Sequence, residues 1–299
     1  MSKKITVCLP TYNRATYIER QLTFFLKEIE NTPEILEHID FIVADNASQD
    51  ETPQLLKKWH SESSFFKLQT NKENLGLIGN IISLRDLCNT EYVWFVSDDD
   101  ILKEGILVEI LKTLNEYKNL EYIFLNFSLF DKKAFNGKPG YRIDGKKAAL
   151  EVYRETYGSL VFMTSCIYKK QNLLEIANKP MSTWLAAPLF YSLYSCSKNH
   201  IFITNDVWID FTPNNASYAG FKSNSKLKFE QYVPILERIV DFGYSKKEVD
   251  KTIRVFFERQ SHAHILYNFI NLFKSIRLYK YYSLRTIHMF PKNIINYIK

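Results

Sequence analysis

Short apolar runs alternate with helical patterns through the first 130 residues of the chain. KITVCL (4–9) has the length and β-branched content of a buried strand. A polar turn follows, and then Ile18, Leu22, Phe25 and Ile29 recur on one helical face behind a capping-box pattern from Thr16 to Glu19. HIDFIVAD (38–45) predicts a second strand, and SQDETPQLLKKWH a second helix with Ser48, Asp50 and Pro53 as start signals. FFKLQT (65–70), NLGLIGNIISLRDLC (74–88) and EYVWFVS (91–97) repeat the strand–helix–strand rhythm. A helix over about 104–117 and the strand EYIFLNFS (121–128) close the series.

Apolar strands alternating with helices imply a parallel sheet covered on both faces. Ligands of such sheets bind outside the carboxyl ends of the strands. PTYN (10–13), DNAS (45–48), NKENLG (71–76) and SDDD (97–100) all fall at that edge, so four polar loops are expected to converge on one crevice. The last of them sets Asp98, Asp99 and Asp100 side by side, expected to face solvent there. One or two such residues would serve as a helix cap. A third, abutting a buried run, raises the repulsion, and a divalent cation shared with phosphate oxygens would relieve it.

The pattern loosens after residue 130. Residues 131–147 form a polar excursion expected over the crevice or beside it, 160–170 read as a strand, 182–196 as a helix and 200–211 as one or two strands. The stretch 212–225 reads as a linker or loop, and the chain from Lys226 onward as wholly helical. No internal repeat is found.

Composition adds exclusions. With 19 Tyr and 22 Phe but only 9 Gly and 9 Pro, the chain is neither disordered nor collagen-like. Cys8, Cys88, Cys166 and Cys196 lie far apart in apolar settings without a CxxC pair, which points to buried thiols in a reducing compartment. The apolar run at the start is too short for a signal peptide, and no apolar segment of 18 residues follows, so a cytoplasmic protein without a membrane span is expected. The net charge of +6 is uneven: residues 226–299 carry 14 Lys and Arg against 6 Asp and Glu, a surplus of 8 that leaves −2 for the rest. From Arg259 onward there are seven basic residues and no acidic one, interleaved with aromatic rings. That tail suits either packing on its own domain or docking on an anionic membrane surface. No nucleic-acid-binding motif accompanies it.

ITVCLPTYNRATYIERQL, FIVADNASQDET, NLGLIGNIISLRDL and YVWFVSDDDIL, in this order and spacing, resemble the signature of family 2 glycosyltransferases, over about the first 130 residues. The SDDD variant is similar to the abequosyltransferase-like branch, whose members build surface polysaccharide. The resemblance implies an α/β GT-A fold, a mostly parallel sheet flanked by helices, with a catalytic domain over 1–215 and a helical C-terminal region over 216–299. It implies transfer of a sugar from a nucleotide-diphosphate donor to a hydroxyl of a saccharide or lipid-linked saccharide, with Mg²⁺ or Mn²⁺ as cofactor. Carried over by position, Pro10 and Tyr12 would flank the base, Arg14 would lie near the phosphates, and Asp45 would accept from the base or ribose. Asn74 and Gly76 would shape the wall and Asn80 would brace it. Asp98 would hold ribose or sugar and also ligate the metal, Asp99 would complete the donor site, and Asp100 would ligate the metal. Turn, helix-start and helix-face roles remain open for Asn74 and Gly76, for Arg14 and for Asn80.

The acidic residue that such enzymes place at a helix start some 90 residues past the metal site is absent, since residues 181–191 (MSTWLAAPLFY) hold no carboxylate. A general base must reach the hydroxyl that it deprotonates. Asp206 and Asp210 are the remaining candidates, and both also suit exposed pairing with lysine. His262 and His264 lie two apart, on different faces of a helix, which favours surface histidines over a metal pair. A metal-dependent nucleotidyltransferase would use similar carboxylates but lacks support from a Gly-rich phosphate loop after the first strand. A catalytically silent nucleotide-sugar-binding protein would explain the missing base.

Overall fold

The computed structural model describes residues 3–129, 131–156, 158–211 and 228–259. The linker 212–225, His262 and His264, and the basic tail beyond them lie outside the described residues.

β1 (Ile5–Thr11) is buried along its whole length, as its unbroken apolar run requires. The chain leaves it through Asn13 at φ 54°, a left-handed position that asparagine tolerates. It then enters α1 (Ala15–Asn31), which buries Ile18, Leu22, Phe25 and Ile29 as its period predicts. The expected capping box does not form: Arg14 is the N-cap, and Thr16 lies inside the first turn. The left-handed turn at Asn13 sets the helix start, and Thr52 Oγ1 accepts the Arg14 amide at 3.0 Å. A single turn, α2 (Ile35–His38), leads into β2 (Ile39–Asp45). α3 (Thr52–Glu62), β3 (Lys67–Thr70), α4 (Gly76–Leu87) and β4 (Tyr92–Phe95) follow as the pattern predicts. Past the Asp triplet come β5 (Ile101–Leu102), α5 (Ile106–Glu116) and β6 (Tyr122–Leu129). The buried Glu28 carboxylate accepts the Gly105 amide at 2.8 Å, so α1 supplies the negative charge at the amino end of α5.

The excursion after β6 forms β7 (Lys132–Lys133) against the carboxyl end of β6 and β8 (Gly140–Arg142) against the start of β10. It therefore begins at the crevice and runs to the opposite end of the sheet instead of covering the crevice. α6 (Gly145–Glu155) is capped by Asp144, whose side chain accepts the Lys147 amide. Only the end of the expected strand at 160–170 is extended, as β9 (Cys166–Lys169), and the rest is two 3₁₀ turns. α7 (Lys170–Glu175) and α8 (Ala187–Ser197) follow, and the second is buried nearly all round, as its apolar composition requires. β10 (Ile201–Phe211) is one strand with register shifts after Ile203 and Val207.

The strands form one sheet in the order β3-β2-β1-β4-β9-β6-β10-β5, with β7 and β8 paired at its margins. β3, β2, β1 and β4 are parallel, and so are β6 and β10. β9 runs antiparallel between β4 and β6, so the sheet is mixed where strand–helix alternation predicted a parallel one. A strand entered through 3₁₀ turns at the carboxyl edge has to run back down the sheet.

The described C-terminal part begins with a π-helical turn, Lys228–Tyr232, and continues into α9 (Val233–Arg238) and a 3₁₀ turn that ends at Gly243, φ 81°. α10 (Lys246–Arg259) then packs Val249, Ile253, Phe256 and Phe257 inward and contacts α6. None of the described helices is long and apolar enough to cross a membrane.

Candidate functional site

The carboxyl ends of β1, β2 and β3 are tied together beyond their strands. The Asn46 amide donates to Thr11 O at 3.0 Å and the Asn71 amide to Asp45 O at 2.9 Å, which continues the ladder into the loops. Asn13 donates its backbone N–H to Ser48 Oγ at 2.8 Å and accepts the Gln49 amide on Oδ1 at 2.7 Å. The PTYN and DNAS loops are therefore one hydrogen-bonded unit. Within it Pro10 is a buried strand residue paired with Ala44, while Tyr12 is 39% exposed at the rim.

Asn46 is the hub that binds this unit to α4. Its Oδ1 accepts from Asn71 Nδ2 and from the Leu75 amide, both at 3.0 Å, and its Nδ2 donates to Asn74 Oδ1 at 2.8 Å. Asn74 in turn caps the Gly76 amide at 2.8 Å, and Gly76, at φ 70°, turns the chain into the helix. Buried Asn80 donates to Ala44 O and accepts from Asn71. Asn74, Gly76 and Asn80 are thus joined through Asn46 and Asn71 into one hydrogen-bonded unit. Asp45 stands at its foot: Oδ1 accepts the Ser48 amide at 3.1 Å, whereas Oδ2 is buried with no protein donor. A buried acceptor without a partner is costly, and a ligand N–H or O–H would satisfy it.

The Asp triplet does not face solvent as expected. Asp98, Asp99 and Asp100 are only 4%, 6% and 3% exposed. The chain from β4 to β5 crosses the carboxyl edge here, and α1 holds it down, with Gln21 Nε2 donating to the carbonyls of Ser97 and Asp100 and Arg20 to that of Asp100. Arg14 Nη1 bonds both Asp98 Oδ1, at 3.1 Å, and Asp99 Oδ2, at 2.7 Å. Thr11 Oγ1 donates to Asp98 Oδ2 at 2.8 Å and Ser97 Oγ to Asp99 Oδ1 at 2.5 Å. Thr164 arrives from the turn before β9. Its hydroxyl accepts the Ser97 amide at 3.0 Å and donates to Asp100 Oδ2 at 2.5 Å, while its carbonyl is fixed by the Trp94 indole.

This shell is short of positive charge. Burial pushes Asp98 up to about 6, against the pull of Arg14 and Thr11. Burial pushes Asp100 up to about 8, offset in part by the Thr164 hydroxyl and reinforced by its two carboxylate neighbours. Among the described residues no three His, Cys, Asp or Glu side chains gather into a complete metal cage. The donor set nevertheless fits a hard divalent cation that takes its remaining oxygens from phosphate and water, as Mg²⁺ and Mn²⁺ commonly do.

Asp210 pairs with Ile101 across the β5–β10 ladder, one residue from the triplet. It accepts from Ser128 Oγ at 2.5 Å and lies 3.5 Å from Lys103 Nζ. Asp206 is exposed at the mid-strand register shift, where Asn205 bonds it, and does not join the site. The positions at 181–191 that lack a carboxylate form the turn before α8 and its first half. Sequence reasoning missed Thr11, Gln21, Asn46, Asn71 and Thr164. Thr11, Asn46 and Asn71 sit inside the polar loops already singled out, and polar Gln21 beside the apolar stripe of α1 was a visible signal. Thr164 had none.

The raised Asp100 carboxyl gives a sign for the pH dependence of stability. Between the ordinary carboxylate range and about 8 the folded chain holds a proton that the unfolded chain has released, so stability falls as pH rises through that window. Asp100→Asn is therefore expected to raise the melting temperature of the metal-free protein at pH 8, by about 2–4 °C for each kcal/mol relieved, and to change it little at pH 4. Thermal unfolding at the two pH values checks this, and an equal change at both would remove the charge argument.

Abequosyltransferase RfbV of Salmonella typhimurium is 33% identical over 106 residues, which is 35% of this chain and 31% of the relative. The GalNAc(5)-diNAcBac-PP-undecaprenol beta-1,3-glucosyltransferase of Campylobacter jejuni is 29% identical over 141 residues, 45% of this chain and 43% of the relative. The chain thus spans less than half the length of these relatives. The solved mannosyltransferase PcManGT of Pyrobaculum calidifontis, in complex with GDP-Man and Mn²⁺, superposes with a TM-score of 0.61 at 15% identity, over 98% of this chain and 88% of that one, which bears out the expected fold. The model of glycosyl transferase family 2 matches residues 6–167, more than half of the chain, and takes in the triplet, the Asn46 network and Thr164. The chain belongs to glycosyl transferase family 2.

Proposed function

We propose that the protein transfers a sugar from a nucleoside-diphosphate donor to an acceptor hydroxyl in the synthesis of a surface polysaccharide. The observation that carries this reading is the buried, under-neutralised Asp triplet at the edge where the β1 and β2 loops meet. Tyr12 and Asp45 receive the base and ribose, with Pro10 as the rigid floor behind them. Asn74 and Gly76 wall the nucleoside, and Asn80 braces that wall. Asp98 and Asp99 orient ribose and sugar, and Arg14 meets the phosphates. Asp100, with Asp98 beside it, would hold Mg²⁺ or Mn²⁺, which when bound supplies Lewis-acid stabilisation of the departing diphosphate. As the bond from the anomeric carbon to the diphosphate breaks and its electron pair leaves on the phosphate oxygen, the acceptor oxygen bonds to that carbon and its proton passes to Asp210, the candidate carboxylate nearest the triplet. Residues 1–215 serve as the catalytic domain and 216–299 as an appended helical region.

The acceptor is a saccharide, free or lipid-linked. The undecaprenol-linked acceptor in the name of the Campylobacter relative and the seven uncompensated basic residues from Arg259 onward support a cytoplasmic enzyme docked on anionic membrane.

Donor binding is tested first. UDP, GDP and CDP are titrated calorimetrically with Mn²⁺ and with chelator, and one of them is expected to bind only with the cation. Asp45→Ala is expected to weaken that nucleotide about tenfold, the loss of one buried hydrogen bond; unchanged affinity would remove Asp45 from the donor site. With the cognate donor, Asp210→Asn should lower kcat by about 10²–10⁴ with the donor KM little changed, while Asp206→Asn stays within about twofold. Equal activity of the two variants would end the assignment of Asp210. For the tail, replacement of Lys274, Arg277, Lys280 and Arg285 together should release the protein from acidic vesicles, as should high salt. Equal sedimentation of the variant and the wild type would assign the tail to packing.

A further inference from the structure

Arg14 occupies an unexpected place for a phosphate ligand. Its Nη1 sits on two carboxylates at once, Asp98 Oδ1 and Asp99 Oδ2. The second oxygen of Asp98 is held by Thr11, and Asp100 Oδ2 is held by Thr164. A cation that takes an oxygen of Asp98 therefore shares it with a donor already there, and on Oδ1 that donor is the positively charged Arg14. Arg14 is the outermost member of the cluster, with its side chain 23% exposed against 5% and 7% for Asp98 and Asp99. A bare cation coming from solvent thus meets a like charge before it meets the carboxylates. The guanidinium lies over the Tyr17 ring, 5.3 Å from its centroid, and Arg20 approaches the same ring at 5.7 Å. That ring supports the guanidinium where it now lies, beside the carboxylates.

We propose that Arg14 is a built-in counter-cation that makes metal binding conditional on the nucleoside diphosphate. This rests on the donor-site reading above and adds the order of events. Before ligands bind, Arg14 is the counter-charge that Asp98 and Asp99 share. A divalent cation alone must compete with it and gains little. A diphosphate brings oxygens that match the guanidinium fork, so Arg14 turns onto the phosphates and the released Asp98 oxygen becomes available to the cation. Cation and nucleotide then bind with positive coupling, and by linkage each strengthens the other by the same factor.

The test is calorimetry on the full chain, with Mn²⁺ titrated alone and in the presence of UDP, GDP or CDP. The wild type is expected to bind Mn²⁺ weakly alone and more tightly with one nucleotide. Arg14→Gln is expected to bind Mn²⁺ alone roughly tenfold more tightly and to lose roughly tenfold of the coupling. It should also lose more affinity for the nucleoside diphosphate than for the parent nucleoside. Arg14→Lys, which keeps the charge but not the fork, should bind Mn²⁺ alone as the wild type does and lose part of the coupling. If Arg14→Gln binds Mn²⁺ no more tightly, or keeps the full coupling, or loses nucleoside and diphosphate equally, the exchange is overturned while the donor site stands. If the wild type shows no coupling with any of the three nucleotides, both fall. Should Arg14→Gln not fold, the lysine variant decides by its coupling, which stays at the wild-type level only if the guanidinium never reaches the phosphates.

Discussion

Three adjacent carboxylates are buried at the carboxyl edge of the sheet, and the rest of the site is organised by the cost of keeping them there. A buried charge is tolerated only when it is paired and hydrogen-bonded. Arg14 supplies the pairing, and Thr11, Ser97 and Thr164 supply the hydrogen bonds. Gln21 and Arg20 hold the backbone that carries the triplet. The compensation is incomplete, because burial still drives Asp98 and Asp100 towards their protonated forms. A site left short of positive charge in this way is what the proposed exchange of Arg14 for a cation requires.

Rigidity is supplied separately from charge. The Asn46 side chain uses its acceptor and donor groups to join the end of β2 to the start of α4. The PTYN loop is bonded to the DNAS loop at both its amide and its side chain. The wall that would meet a nucleoside therefore has little freedom to lose on binding. Asp45 Oδ2 is the exception, a buried acceptor that the protein itself does not satisfy. Under the proposed function these features share one purpose, the holding of a nucleotide donor.

The strand–helix rhythm, the burial of the α1 stripe and the polar loops at one edge were legible in the sequence, because each depends on a period of two or 3.6 residues within a short window. The same local reasoning misplaced the start of α1. Thr16 and Glu19 have the spacing of a capping box, but the left-handed turn at Asn13 begins the helix at Ala15. Strand–helix alternation also implied a parallel sheet, and the course of β9 makes it mixed. The antiparallel course of β9 follows from the 3₁₀ turns before it, which carry no periodic signal.

The residue types at the carboxyl edge, and the loops that carry them, can be read from the order of amino acids alone. The depth of the triplet and the contacts that hold it there come from packing between distant segments. Thr164 comes from 64 positions beyond Asp100, and the β5–β10 ladder sets Asp210 beside the triplet while Asp206 stays outside. Those contacts are made by chain segments far apart in sequence. Their meeting depends on strand order and register, quantities that no local pattern of apolar and polar residues encodes.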